Sequence, residues 1–485
     1  QDKEGILKIL EADSRPEVLY ALSDIRRNLM DWMDFSGQEH VLQLGSDYGV
    51  ITGLLAERCA SVAVVDERDE NLVVNQKMNE AHTNISYMKA TDFQKMEAAE
   101  KEGKYDLVVL RADRPDMDIK ECFTRLSSYL SENGKLIFAC ENALGLNFLS
   151  GAVHDEDETA FTKGELEEAL KEAGLSKVEF YYPMPEYKRA VSVYSDRYLP
   201  GKGDIPHVTA VYDRQRWACI HEDEISDKLV QEKAFGLFSN AYLAVASKGA
   251  ESFKTVFAKY NSTRKEEFQI RTAILEENGK RYVEKTPLTE KAAGHISSMS
   301  EKYEKLSKVN SGVKVLAPVY SEDKKAVRFE FLKGRTLAEI LGEQIRGKKA
   351  PVEALKAAID QVFGQAVLKN EPFAPTDPFK EVFGDSEDVL SLQDTSYEVS
   401  NIDGLFENLM ETEDGLYCMD YEWVFDFPIP SGFVRYRNLV YFYYKYEGLM
   451  EYENATQFLK EFGMDEKLAE TYASMEVAFQ TLSLI

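Results

Sequence analysis

Cysteine, histidine and tryptophan are scarce: five, six and three in 485 residues. The cysteines, Cys59, Cys122, Cys140, Cys219 and Cys418, are scattered and odd in number, with no C-x-x-C pair and no histidine cluster at zinc-ligand spacing. That pattern excludes a disulfide framework and a structural zinc site, and leaves reduced, mostly buried thiols. Basic charge is also in deficit. The chain has 58 Lys and Arg against 85 Asp and Glu, a formal charge of −27, which argues against nucleic acid or an anionic membrane surface as the main partner. No apolar run approaches the ~20 residues that span a bilayer, and the opening QDKEGILKIL lacks the profile of a signal peptide. The expectation is an acidic cytoplasmic protein without membrane insertion.

What the sequence does hold is enough apolar material for more than one core: 44% hydrophobic and 11% aromatic residues. At one domain per ~150 residues, two or three domains are expected. The first 35 residues read as a helical segment, with Leu19, Leu22, Ile25, Leu29 and Met33 at helical spacing as a lid or packing helix. From residue 36 to about 250 the pattern alternates strand and helix. Strands are predicted at 41–44, 62–65, ISYMKA, 105–110 and GKLIFAC, helices after Gly49, at 69–81 and at 117–130, and late strands in VEFYYPMPEYKRAVSVYS and AYLAVASK. Such alternation predicts an α/β fold, a parallel sheet covered on both faces. From 251 to 485 the pattern changes to short strands, a hairpin turn at Glu277-Asn278-Gly279 and then mainly helix, as in an α+β two-lobed domain.

The stretch VLQLGSDYGVITGLLAERCASVAVVD, from Val41 to Asp66, is a strand, a glycine turn, a helix and a second strand ending in an acid. Free backbone N–H groups and the positive end of the helix can hold an anionic group there. Gly45 and Gly49 allow close approach, Asp66 is placed to accept from a ribose diol, and Asp92, after the third strand, could accept from an adenine amino group. These residues, together with LSDIRRNLMDWMDF, ENALGLNFLSGA, FYYPMPEYKRAVSVYSDRYLPGKGD and FSNAYLAVAS, resemble the class I S-adenosylmethionine-dependent methyltransferases. The resemblance is closer to a bacterial subgroup linked to cell-surface polysaccharide genes. It implies a Rossmann-like domain, S-adenosylmethionine as cofactor, and a small-molecule, saccharide or surface-polymer precursor as acceptor.

Two positions depart from that pattern. Gln43 stands where the family has a carboxylate for the methionine amino group, and Asp47 replaces the middle glycine. A carboxylate at Asp47 crowds the ligand and repels its carboxylate while attracting its amino or sulfonium charge. After the fourth strand, RADRPD brings Arg111, Asp113, Arg114 and Asp116 either to the methyl-transfer side or to a surface loop of local ion pairs. On the acceptor side the candidates are Glu141, Asn142, His154, Tyr181 and Tyr182, since methyl transfer needs alignment and, for some acceptors, a base. GAVHDEDET around His154 reads equally as a solvated acidic loop.

The second half carries a sharper spacing. Asp403 is followed five positions later by Asn408, and Asp420 closes the next strand pair. Protein kinases use this order, Asp-x4-Asn then Asp, for the acceptor-side acid and the magnesium ligands. Upstream, Lys285 ends a hairpin strand, Glu301 or Glu304 on the following helix could pair with it, and Glu330 to Leu332 offer backbone groups to a base. Residues 251–485 thus resemble the protein-kinase and aminoglycoside-phosphotransferase superfamily, which implies ATP and magnesium, with Asp403 catalytic and Asn408 and Asp420 on the metal. Each position also has a plain structural alternative: a loop cap, a solvated strand end or core. The phosphate loop is replaced by Asn261, Ser262 and Thr263, the His-Arg before the catalytic acid by Asn401-Ile402, and the glycine of the metal triplet by Glu422. Three functions therefore stand: methyl transfer, phosphoryl transfer, and a degenerate ligand-binding scaffold. A homo-oligomer is compatible with all of them.

Overall fold

The computed structural model describes residues 3–13, 15–46, 48–92, 104–111, 118–153, 159–205, 220, 222–309, 312–321, 326–363, 371–397 and 399–484. The chain divides into two compact units, Gln1–Tyr260 with Ala273–Gly279, and Asn261–Thr272 with Lys280–Ile485.

The first unit is built on strands β1 (His40–Leu44), β2 (Ser61–Asp66), β3 (Ile85–Lys89), β4 (Tyr105–Arg111), β5 (Leu130–Glu141), β6 (Lys177–Met184), β7 (Ser192–Ser195), β8 (Ala241–Ser247) and β9 (Thr255–Tyr260). Their order is β3-β2-β1-β4-β5-β8-β6-β7-β9. The first five pair in parallel, whereas β8 runs antiparallel between β5 and β6. Apolar runs such as Val41-Leu42 and Leu107 to Leu110 are buried, as a sheet covered on both faces requires. This is the Rossmann-like α/β fold expected, and the 3-2-1-4-5 order puts the topological switch point beside the carboxyl end of β1.

The N-terminal region is less continuous than its periodicity predicts. Helix α1 (Lys3–Ala12) is followed by a separate helix α2 (Pro16–Leu22), which ends at Ser23, where φ is −81° and ψ 138°. Its hydroxyl accepts from the Ile25 N–H at 3.1 Å and starts a tighter 3₁₀ turn over Asp24–Leu29. Serine competes for its own backbone in this way and so breaks a periodic run. Leu29 and Met33 are buried, but Leu19 is exposed. Helices α3 (Val50–Arg58), α4 (Asp69–Met78), α5 (Ile119–Ser127) and α6 (Lys163–Glu172) cover the sheet.

The second unit contains β10 (Lys280–Pro287), β11 (Val319–Ser321) and β12 (Ala326–Glu330), with β12 antiparallel to both others. Its helical part includes α7 (Met299–Val309), α8 (Val352–Phe363), α9 (Ser431–Tyr446) and α10 (Glu466–Ser483), interrupted by the hairpin β13 (Leu409–Thr412) and β14 (Gly415–Cys418). The predicted turn, whose residues belong to the first unit, takes φ +52° at Asn278 and +73° at Gly279, the pair of positive values that an Asn-Gly hairpin turn supplies. The core is rich in aromatics, among them Phe379, Phe383, Tyr421 and Phe433, and no helix of the described residues is long and apolar enough to cross a membrane.

Candidate functional site

In the first unit the site forms where β1 turns into α3. Gly45 (φ +77°) and Gly49 (φ +96°) are left-handed. A Cβ on Gly49 would also lie 2.7 Å from Asn79 Nδ2 and 2.8 Å from Asn75 Oδ1, so this position needs glycine for both conformation and space. Those asparagines brace the turn. Asn79 Nδ2 donates to the Gly49 carbonyl at 2.9 Å and to Asn75 Oδ1 at 2.9 Å, while Asn75 Nδ2 donates to Thr52 Oγ1 at 2.7 Å. Thr52 in turn donates to Gln43 Oε1 at 2.8 Å, and Gln43 Nε2 reaches the Gly45 carbonyl at 3.3 Å. Gln43 is thus buried, with both ends of its amide engaged within the turn.

Asp66, at the tip of β2, is buried and heavily hydrogen-bonded. Its Oδ2 accepts from Ser46 N and Ser46 Oγ, each at 2.7 Å, and from Asn71 Nδ2 at 3.2 Å. Its Oδ1 accepts from Arg68 N at 2.8 Å. A buried carboxylate is tolerable only with such a donor set. Asp92 is exposed. Asp47, His154, Asp113, Arg114 and Asp116 lie outside the described residues.

Beside the turn, Gln43, Gly45, Arg26 and Arg111 line a cavity of about 30 Å³ with Leu29 and Leu243. The Arg26 guanidinium stacks 4.0 Å from the Tyr20 ring centroid, and Arg111 donates to the Tyr20 hydroxyl.

On the acceptor side, Glu141 is half-buried at the end of β5. Asn142 is consumed by structure: its Nδ2 donates to the carbonyls of Leu237 (2.9 Å) and Ser239 (2.7 Å), and its Oδ1 accepts from Leu144 N. The two tyrosines are core residues rather than acceptor-side groups. Tyr181 packs on Trp32 with ring centroids 4.3 Å apart. The Tyr182 hydroxyl is held by Asp196 (2.5 Å) and Lys163 (2.9 Å), and burial and Asp196 keep its pKa far above the usual phenol value.

Ser46, Thr52, Asn71, Asn75 and Asn79 were missed by motif reasoning. A signal was present: Asn71, Asn75 and Asn79 recur at four-residue spacing in NLVVNQKMN, a polar stripe along one face of α4.

In the second unit Lys285, Asp403, Asn408 and Asp420 do converge. Lys285 Nζ lies 2.8 Å from Asp420 Oδ1 and 2.5 Å from Glu422 Oε1. The predicted partners on α7 are not used: Glu301 pairs with Lys305 at 2.7 Å, and Glu304 is exposed. The helix register instead turns Lys302 inward, where it donates to the Glu422 carbonyl. Arg264 Nη1 takes Glu422 Oε2 at 2.6 Å. Asn408 Nδ2 donates to the Asp403 carbonyl at 2.9 Å, and Asp403 Oδ2 accepts from Trp423 N at 2.9 Å. Glu330 is exposed at the end of β12. Among the described residues no group of three or more His, Cys, Asp or Glu is placed to hold a metal ion.

The charges of this cluster condition one another. Burial, with Asp420 and Glu422 close by, pushes Asp403 up to about 7. Burial opposes ionisation of Glu422, but Lys285, His295 and Arg264 outweigh it and hold that carboxyl well below its usual range. Burial pushes Lys302 down to about 8. Burial likewise favours the neutral form of two thiols, pushing Cys59 and Cys418 each up to about 12. Cys59, Cys122, Cys140 and Cys418 are free, and Cys219 lies outside the described residues.

No protein-family model and no curated protein matches the sequence. Among solved structures, the chain is similar to a SAM-dependent methyltransferase from Archaeoglobus fulgidus (14% identity, 50% of this chain and 99% of that one, TM-score 0.31). It is likewise similar to an S-adenosylmethionine-dependent methyltransferase from Mesorhizobium loti (13%, 46% and 97%, TM-score 0.29). A third is phosphoethanolamine N-methyltransferase 1 from Haemonchus contortus, in complex with phosphoethanolamine and S-adenosylhomocysteine (13%, 52% and 50%, TM-score 0.28).

Proposed function

We propose that the first unit binds S-adenosylmethionine at the Gly45–Gly49 turn and transfers its methyl group to a small acceptor, with a saccharide or surface-polymer precursor as the leading class. The observation that carries this reading is the turn itself: two left-handed glycines between β1 and α3, with Asp66 at the neighbouring strand tip. Backbone N–H groups at the start of α3 suit an anionic group, and Asp66 suits a ribose diol once the Ser46 hydroxyl and Asn71 give way to it. Gln43 fits less well, because its amide is already spent on Thr52 and Gly45. When bound, the cofactor supplies an electrophilic methyl carbon. The chain's own contribution is to position the acceptor beside β5, where Glu141 can take a proton from it.

Calorimetric titration of the full chain with S-adenosylmethionine and S-adenosylhomocysteine tests the reading. Binding that Asp66→Ala weakens and Asp47→Gly strengthens is expected. Silence from wild type and Asp47→Gly alike overturns it.

For the second unit we infer kinase-like ancestry from the ordered set Lys285, Asp403, Asn408, Asp420 and from the Lys285–Asp420 contact. A phosphotransferase with ATP and magnesium is the weaker reading of its activity. Lys285 is shared with Glu422, and the Asn408 amide nitrogen is tied to the Asp403 carbonyl, which favours a unit that binds over one that transfers.

A further inference from the structure

Glu422 sits in the connection after β14, and four basic side chains reach it from four separate segments of the second unit. Arg264 comes from the loop before residue 270, Lys285 from β10, His295 from the helix Ala293–Ser297, and Lys302 from α7. The Glu422 side chain is 4% exposed. Removing two or more charges from water to make one ion pair is a poor way to gain stability, so this convergence calls for another explanation.

The donor count supplies one. A carboxylate offers two oxygens, and both are used: Oε1 by Lys285 and Oε2 by Arg264. Lys302 has to settle for the backbone carbonyl. His295 Nε2 stops 3.8 Å from Oε2, outside hydrogen-bond range, and is buried with no hydrogen-bond partner. A phosphoryl group presents three terminal oxygens in a tetrahedron and could serve Arg264, Lys285, His295 and Lys302 together, with the planar guanidinium bridging two of them. The cradle is approachable on one side, since the Arg264 and Asp420 side chains are 22% and 32% exposed.

Building on the kinase-like reading of this unit, we propose that Arg264, Lys285, His295 and Lys302 form a binding site for a phosphate-bearing anion, and that Glu422 occupies this site as an internal stand-in for the ligand. In this closed state the chain excludes the anion. Binding requires the Glu422 side chain to leave the cradle.

The test is titration of the full chain with inorganic phosphate, pyrophosphate and ATP, each without added metal, for wild type, Glu422→Ala and Glu422→Ala/Arg264→Ala. Glu422→Ala should bind pyrophosphate at least tenfold more tightly than wild type, the gain should shrink with rising salt, and the second substitution should abolish it. ATP no tighter than pyrophosphate assigns the site to the phosphate group alone, and tighter ATP extends it to a nucleoside; both support the proposal. A Glu422→Ala protein with the wild-type far-ultraviolet spectrum and wild-type anion affinity overturns it, as does a gain that ignores Arg264. Glu422→Gln, which keeps the side-chain volume, is the second variant should alanine prevent folding. Failure of both to fold even in excess pyrophosphate would make Glu422 a structural counter-ion and overturn the proposal as well.

Discussion

The backbone N–H and the hydroxyl of Ser46 end on the same oxygen of Asp66, each at 2.7 Å. The glycine turn and the tip of β2 are thereby clamped together before any ligand arrives. Asp66→Asn would set an amide N–H against donors, or leave them unmatched after rotation. A loss of about 2 kcal/mol is expected, read as a lower urea midpoint with unchanged slope, together with weaker binding of S-adenosylhomocysteine. An unchanged midpoint would show that the clamp is not formed.

Two glycines should respond to alanine with opposite signs. Gly49 combines φ +96° with a Cβ position 2.7 Å from Asn79, so Gly49→Ala should cost roughly 1–3 kcal/mol. Gly164, in α6, has nothing within 4 Å of its Cβ position. Gly164→Ala should stabilise by roughly 0.5 kcal/mol through the unfolded chain. Thermal unfolding of the two variants side by side checks the difference.

If Glu141 acts as a proton acceptor, Glu141→Gln should lower kcat by roughly 10²–10⁴-fold while leaving S-adenosylhomocysteine affinity at the wild-type value. Parallel loss of affinity and rate would assign Glu141 to the fold around the cofactor instead.

Lys285 holds two carboxylates, Asp420 and Glu422. Lys285→Met leaves the buried Glu422 carboxylate with Arg264 as its remaining ion-pair partner within hydrogen-bond distance and should destabilise by about 3 kcal/mol. Adding Glu422→Gln removes the stranded charge and should recover part of that loss. A double-mutant cycle by urea denaturation measures the coupling, and strictly additive losses would show that the pair does not interact.

Asp403 titrates at about 7 in the folded chain because of burial and the facing carboxylates of Asp420 and Glu422, with Arg437 and Lys285 opposing. Its unfolded value is about 3.9. Between those values the folded form holds the extra proton, so this contribution to stability is present at low pH and is lost as the pH rises through 7. Glu422 has the opposite sign: its folded value is depressed, so its contribution is present above about 4.3 and fades on acidification. Asp403→Asn should therefore flatten the fall in thermal midpoint between acidic and neutral pH. A variant profile parallel to wild type would contradict the assignment.

Element types were largely written in the sequence. Strands buried on both faces must be near-continuous apolar runs, and β2, β4 and the Leu136–Cys140 part of β5 are so in both sequence and structure. A left-handed turn needs glycine, which made Gly45 and Gly49 legible in advance. The break at Ser23 was not, because a periodic pattern cannot show when a side chain will outbid the helix for its own backbone. Partnership between distant residues was decided by tertiary structure alone. Tyr181 and Tyr182 belong to the core, Lys302 faces inward in place of Glu301 or Glu304, and Glu422 lies among Arg264, Lys285, His295 and Lys302. Each depends on which face of an element packs against a segment remote in the chain. Residue spacing places a side chain on a face, but only the packed fold determines what that face meets.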